Sequence, residues 1–425
     1  MVSIILFLIF AVITILGMPI ALALIGGGTA AIIVGGDIPL EVVAQKMFNS
    51  LDSFTLSAIP FFMLAGALMS SGGIARRLIN FGRSLVGWLP GGMAVVTVFT
   101  CMLFGCLCGS PTATVAAIGS IMVPALEEGG YERKFALTTM AAAGMIGTII
   151  PPSTVMITYC SATGAPVGDM FMGGILPGII LTLLMCGVSV WYGVKMDIPR
   201  IPFSIKEVGH CTVQATGALL VPIIILGGIF SGVFTPTESA AVACAYGLIL
   251  GCFIYKEIDL KELFATTTRA ATTSGMIMFI VAAAGVFGLL MAREQIPMKA
   301  AELIMSISSS PITFLLLTNV MLLIVGCFMD ATPAVLIIAP ILMPALAFYN
   351  IDIVHFGIIM LINMCVGLIT PPLGINLYVA AGLRNEKVDI LINKYLLRFL
   401  IICILDLLLV TFIPGLSLGL SGRMG

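Results

Sequence analysis

Twice in this chain a glycine is followed, four residues on, by two adjacent prolines: Gly147 before Pro151 and Pro152 in "GTIIPP", and Gly367 before Pro371 and Pro372 in "GLITPP". Both stretches lie inside long apolar runs. Proline has no amide hydrogen and its ring prevents the preceding turn from closing, so each motif breaks a helix in mid-course. Carbonyls near Gly147 and Ile150, and near Gly367 and Thr370, are expected to lose their helical partners. An unpaired carbonyl in hydrocarbon is costly, and a bound cation would satisfy it. Sodium suits a ring of neutral carbonyl and hydroxyl oxygens. The plain alternative, that Gly and Pro only kink packed helices, explains one break better than two at matching places.

The elements that must position these breaks are membrane spans. Of 425 residues 60% are hydrophobic and 9% charged, with a mean hydropathy of +1.20; soluble domains carry about 25% charged residues. The apolar runs are continuous rather than alternating, which selects helices over a transmembrane barrel. Spans are expected near 2–16, 18–35, 55–72, 136–163, 171–194, 214–234, 238–255, 270–291, 356–382 and 395–418. The opening "MVSIILFLIFAVITILG" lacks a basic leader region, so it is expected to be a retained span rather than a signal peptide. A net charge of −1 gives no reason to expect nucleic acid. Eleven cysteines match neither a zinc spacing nor a disulfide framework. The two histidines, His210 and His355, fall in expected loops, which argues against haem or a histidine-metal centre.

Two segments, 90–127 and 310–347, each hold two apolar arms about fifteen residues long around a polar tip, "GCLCGSPT" and "GCFMDATP". Such an arm reaches about 22 Å, so each pair is expected to be a re-entrant hairpin with its tip at membrane depth, buried in protein or lining a cavity. At an offset of 220, Thr112, Val115, Ile118 and Ile121 recur as Thr332, Val335, Ile338 and Ile341, and Gly147, Ile149, Pro151 and Pro152 as Gly367, Ile369, Pro371 and Pro372. The chain thus divides into repeats 1–212 and 213–425. Each contributes scaffold spans (2–72 and 214–291), a hairpin, and a broken helix (136–163 and 356–382). Arg76, Arg77, Arg83, Arg133 and Lys134 put the feet of the first hairpin in the cytoplasm. Lys195, Arg200, Lys206, Lys256, Lys261, Arg269, Arg384, Lys387 and Lys394 mark further cytoplasmic loops. Basic residues are sparse around the second hairpin, so its feet are expected outside and the repeats inverted.

Inverted repeats with helices broken at midplane point to a secondary transporter. The tips offer the polarity opposite to the breaks. Ser110 is expected to cap a helix whose first residue is Pro111, and Thr332 one that starts at Pro333. Two helix N-termini at the protein centre would favour an anion. The substrate-facing set is therefore Ser110, Thr112, Asp330, Thr332 and Asn376, with Asp330 either a cap or a charged member of the site. Glu238 is expected to form a capping box with Thr235. Asp406 has no obvious partner; Arg398 and a second subunit are both open.

These residues carry a resemblance. "GGIARRL" (72–78), "GWLPGGMAVVTV" (87–98), "ATVAAIGSIMVPAL" (113–126), "GTIIPPS" (147–153), "GVFTPTESAAV" (232–242), "GCFMDATPAVLIIAPIL" (326–342) and "GLITPPLGINLYVAAG" (367–382) make the chain similar to the large membrane subunit of tripartite ATP-independent periplasmic (TRAP) transporters. The resemblance covers essentially the whole chain. It implies an all-α, elevator-type, sodium-driven importer in the bacterial inner membrane. The cargo would be an organic anion such as a C4-dicarboxylate or sialic acid. The partners implied are a small four-helix membrane subunit and a periplasmic substrate-binding protein. It also implies one sodium site at Gly105, Cys108, Gly147, Ile150 and Pro152, and a second at Gly326, Gly367, Thr370 and Leu373, mostly through backbone oxygens. One departure is visible: the family's first tip is usually serine-rich, and here only Ser110 and Thr112 supply hydroxyls. A stand-alone sodium–dicarboxylate symporter would share hairpins and repeats but need no binding protein. No HExxH or Ser–His arrangement suggests an enzyme.

Overall fold

The structure, a computed structural model, describes residues 2–200, 202–308 and 310–422; among them are helices and no strands. Helix boundaries follow the 220-residue offset closely. The hairpin Gly92–Cys108 and Pro111–Glu128 corresponds to Pro311–Phe328 and Ala331–Phe348. The broken helix Arg133–Gly144, Ile146–Ile149 and Thr154–Thr163 corresponds to Ile353–Gly367 and Ile375–Gly382, and Val167–Lys195 to Lys394–Phe412. Both double prolines contain a cis peptide bond, Pro151–Pro152 and Pro371–Pro372.

The hairpin arms contain 17 or 18 residues rather than about fifteen. They lengthen because each inbound helix runs to the edge of its tip, leaving two residues between arms: Gly109 and Ser110 in one, Met329 and Asp330 in the other. By length and composition each arm of the second hairpin could cross a membrane alone. Arm length therefore does not by itself make these hairpins re-entrant.

The halves differ in their scaffolds. In the first, Glu41–Leu51 and Ala58–Ser71 are separate helices; in the second, the matching stretch is one 34-residue helix, Leu260–Arg293. That helix starts ten residues before the expected 270 because Asp259 caps it, accepting from the Glu262 amide at 2.7 Å, and its Thr- and Ala-rich opening continues the helix. Two amphipathic helices, Ile74–Val86 and Ile296–Ile307, also lie beyond the expected spans. Ala58–Ser71 turns by 70° into Ile74–Val86 at Gly73, whose φ of +69° suits glycine. His210 and His355 lie within helices, Ile205–Phe230 and Ile353–Gly367, not in loops. Their apolar flanks were short enough to pass for span ends.

The broken helices form the core: residues 354–367 are all buried, as are 135–150. At one end Glu127 accepts from both Arg133 and Arg384, and Arg133 also reaches Glu386 at 3.0 Å. The foot of the first hairpin is thus tied to the far end of the second broken helix. Thr235 and Glu238 form the expected capping box, with Thr235 N donating to Glu238 Oε2 at 2.8 Å and Glu238 N to Thr235 Oγ1 at 3.3 Å.

Candidate functional site

Each hairpin tip is seated on a broken helix through a pair of glycines. A Cβ on Gly105 would stand 2.4 Å from the Cα of Gly147, and a Cβ on Gly367 would stand 2.4 Å from the carbonyl carbon and oxygen of Gly326. Only hydrogen fits on these backbones at such a distance. The first tip continues onto the double proline itself, since a Cβ on Gly109 would lie 2.6 Å from the Pro152 carbonyl oxygen. Gly105, Gly147 and Pro152, expected together from the resemblance, are brought together here, and so are Gly326 and Gly367.

At the first break, the helix stops at Ile149 and Ile150 is extended, with φ −83° and ψ 127°. The amides that would serve the Gly147 and Thr148 carbonyls belong to Pro151 and Pro152, which have none. Among the described residues the hydroxyls of Thr148 and Ser153, on either side of the prolines, are buried without a hydrogen-bond partner. Cys108 adds its thiol 3.3 Å from Thr114 Oγ1 and 3.7 Å from the Ser110 carbonyl oxygen. This is a neutral oxygen-rich cradle that a single Cβ would fill, which fits a desolvated monovalent cation rather than a carboxylate-bound divalent one.

The second break is better satisfied than the sequence suggested. The Gly367 carbonyl accepts from Thr370 N at 3.1 Å, and the Leu368 carbonyl from Asn376 N at 3.0 Å. The bend is tight enough for these amides to fold back. Thr370 donates its hydroxyl to the Val366 carbonyl at 2.7 Å, leaving its oxygen as an acceptor. Leu373 is 44% exposed, so this site is open where the first is closed. A buried amide chain backs it: Asn363 Nδ2 donates to Asn319 Oδ1 at 2.9 Å, and Asn319 Nδ2 to Thr411 Oγ1 at 3.0 Å. Asn363 Oδ1 has no hydrogen-bond partner among the described residues. Sequence reasoning missed this chain because its members are 44 and 92 residues apart.

The substrate-facing set is only partly assembled. Ser110 is the N-cap of Pro111–Glu128 and its hydroxyl lies 3.4 Å from that of Thr112. On the second tip the N-cap position is Asp330, not Thr332: the helix starts at Ala331, and the Asp330 side chain makes no capping hydrogen bond. An aspartate outranks threonine as a cap, and proline is tolerated in the first turn. Thr332 is buried in that turn. Asn376 is also fully buried; its Nδ2 donates to the Ala141 carbonyl at 3.2 Å and joins the two broken helices. Arg398 stacks over Trp191 and Tyr192, and among the described residues both oxygens of the fully buried Asp406 are without a hydrogen-bond partner.

Ser110, Thr112 and Cys108 open into a cavity of about 720 Å³ whose opposite wall is scaffold. That wall carries Ser71, Glu262, Thr266 and Arg269. Sequence reasoning used Arg269 only as a marker of topology; the stripe Glu262, Thr266, Arg269, Thr273 on one helical face was the available signal. Among the described residues no group of three or more His, Cys, Asp or Glu could hold a metal ion.

Known proteins share this architecture. The Alcanivorax borkumensis YdaH transporter superposes with a TM-score of 0.63 over 88% of each chain at 15% identity, a likeness of fold alone. The isethionate TRAP transporter permease protein DctMQ of Oleidesulfovibrio alaskensis is 42% identical over 97% of this chain, which spans 65% of that protein's length. The C4-dicarboxylate TRAP transporter large permease protein DctM of Pseudomonas aeruginosa is 40% identical over 94% of this chain and 93% of its own. The sequence pattern of the tripartite ATP-independent periplasmic transporter, DctM component, matches residues 7–416. Paired hairpins on broken helices, buried in a multi-pass bundle, are therefore the frame of a transport component: the chain belongs to the DctM component family of tripartite ATP-independent periplasmic transporters.

Proposed function

We propose that this chain is the carrier subunit of a sodium-coupled importer of a small organic anion. The observation that supports this best is the doubled contact of hairpin tip and Pro–Pro break, Gly105 on Gly147 and Gly326 on Gly367. Oxygens at the breaks would hold sodium: carbonyls at Gly147, Ile150 and Gly326, and the hydroxyls of Thr148, Ser153 and Thr370. The N-termini at Ser110 and Asp330 would face the anion. Sodium supplies the driving gradient and a positive charge beside the cargo. The chain's own residues seat the tips, exclude water at the first break and shape the cavity. The relatives' names point to a sulfonate or a C4-dicarboxylate as cargo class. Delivery would come from a periplasmic binding protein, and a small four-helix membrane subunit would complete the assembly. The hairpins and broken helices would move together as an elevator past the scaffold spans, with inverted repeats giving the two access states.

The test is a thermal titration of the chain co-purified with its small subunit, with sodium against potassium at matched ionic strength. A ligand confined to the folded state stabilises it by about 2.7 kcal/mol at a hundredfold excess over Kd. Sodium-specific stabilisation that weakens in Thr370→Ala and Gly147→Ala supports the reading; equal curves for both ions would refute sodium coupling. Uptake without any binding protein would instead favour a stand-alone symporter.

A further inference from the structure

One oxygen in the scaffold wall of the cavity is served more generously than any ion pair there requires. Glu262 Oε1 accepts from Arg269 Nη2 at 2.7 Å and from the hydroxyls of Ser71 and Thr266, each at 3.1 Å. The two hydroxyls stand 2.9 Å apart, and Arg269 Nη2 also reaches Thr266 Oγ1 at 3.2 Å. Two hydroxyls and a guanidinium, contributed by two helices, thus converge on one carboxylate oxygen. All four residues line the cavity that holds Ser110 and Thr112, and among the described residues Glu262 and Arg269 are its only charged lining.

The Glu262 side chain is not needed to start its helix, because Asp259 already accepts from the Glu262 amide. The pair is also weak as a stabilising element. The side chains of Arg269 and Glu262 are 66% and 43% exposed, and ion pairs in that setting contribute little to stability. An anion in the cavity therefore meets one cation, loosely held, in a donor set already shaped for a carboxylate. We propose that Ser71, Thr266 and Arg269 form a carboxylate receptor on the scaffold side of the cavity, occupied in the empty carrier by the chain's own Glu262, which an organic anion leaving the hairpin tip displaces.

This rests on reading the chain as an organic-anion carrier, and acetate is a probe that does not depend on the cargo's identity. The chain, co-purified with its small subunit, is melted in sodium acetate and in sodium chloride at equal concentrations. In Glu262→Ala the receptor is vacated, so acetate raises the melting temperature above chloride in a saturable way. Wild type shows no such difference. Adding Arg269→Gln abolishes the acetate effect and adding Arg269→Lys retains part of it. Glu262→Ser, whose short side chain also vacates the receptor, replaces the alanine variant if that one fails to fold. Identical responses to acetate in the Glu262 variant with and without Arg269→Gln would overturn the receptor. A wild-type protein indifferent to sodium over potassium would sink the coupling reading while leaving the acetate result standing. In reconstituted transporter, Arg269→Gln is expected to raise KM for the cargo by about tenfold, the loss of one charged hydrogen bond, with a smaller change in kcat.

Discussion

Replacing Gly367 by alanine separates the packing of the second site from its ligand. A Cβ there would lie 2.4 Å from the Gly326 carbonyl carbon and oxygen, whereas a Cβ on Gly326 would lie 3.3 Å from Gly367 Cα. The first contact is backbone against backbone, so the tip must withdraw; the second needs a shift of a few tenths of an ångström. Overpacking of the first kind costs about 1–3 kcal/mol, and Gly326→Ala should fall below that range. Melted in potassium chloride, Gly367→Ala should lose that packing increment and Gly326→Ala little. In sodium chloride, wild type should gain up to about 2.7 kcal/mol at a hundredfold excess over Kd, and Gly367→Ala should gain much less, because the withdrawn tip takes the Gly326 carbonyl with it. A sodium gain of full size in Gly367→Ala would refute the claim that tip and break share a ligand. Equal costs for the two alanines in potassium would refute the contact geometry itself.

Three further outcomes are expected from equilibrium unfolding or thermal denaturation. Asp406→Asn should melt no lower than wild type, since the carboxylate is fully buried with both oxygens unpartnered; a loss above about 1 kcal/mol would reveal a partner. Asn319→Leu takes one partner each from the Asn363 amide and the Thr411 hydroxyl, which keep the Ile359 and Leu407 carbonyls, and should cost about 1 kcal/mol, with Asn319→Leu/Asn363→Leu costing less than the sum of the single changes. Thr235→Ala removes the Oγ1 acceptor of the Glu238 amide and leaves the bond from Thr235 N to Glu238 Oε2; it should cost about 1 kcal/mol, largely restored by serine.

Much of the frame was legible because it is written in local chemistry. Paired prolines fix where a helix must stop, Ser110–Pro111 and Thr235–Glu238 announce helix starts, and the 220-residue offset transfers each feature to the other half. The errors arose where two local rules competed. Asp330 and Thr332 can both cap, and the helix starts at Ala331 with Asp330 in the cap position. Leu260–Arg293 begins with polar residues that a hydropathy reading discards, yet Asp259 starts the helix there. The satisfied carbonyls of Gly367 and Leu368 depend on how tightly the bend closes, which residue types do not encode. The Glu262 receptor and the Asn319–Asn363–Thr411 chain are tertiary objects. Each joins residues whose neighbours in sequence give no hint of the partner, as Ser71 and Glu262 do across 191 positions.

The unbroken helix Leu260–Arg293 has a mechanical consequence. Its 34 residues measure about 51 Å, against about 30 Å of hydrocarbon, and a tilt of up to about 40° absorbs only part of the excess. Residues 270–291 are enough to span, and the turns bearing Glu262 and Arg269 precede them on the same unbroken helix, a stiff post with no hinge along it. That post is a fixed benchmark. On the proposed elevator movement the first tip travels while Arg269 keeps its height, so the separation between Ser110 and Arg269 gauges the carrier's position in its stroke.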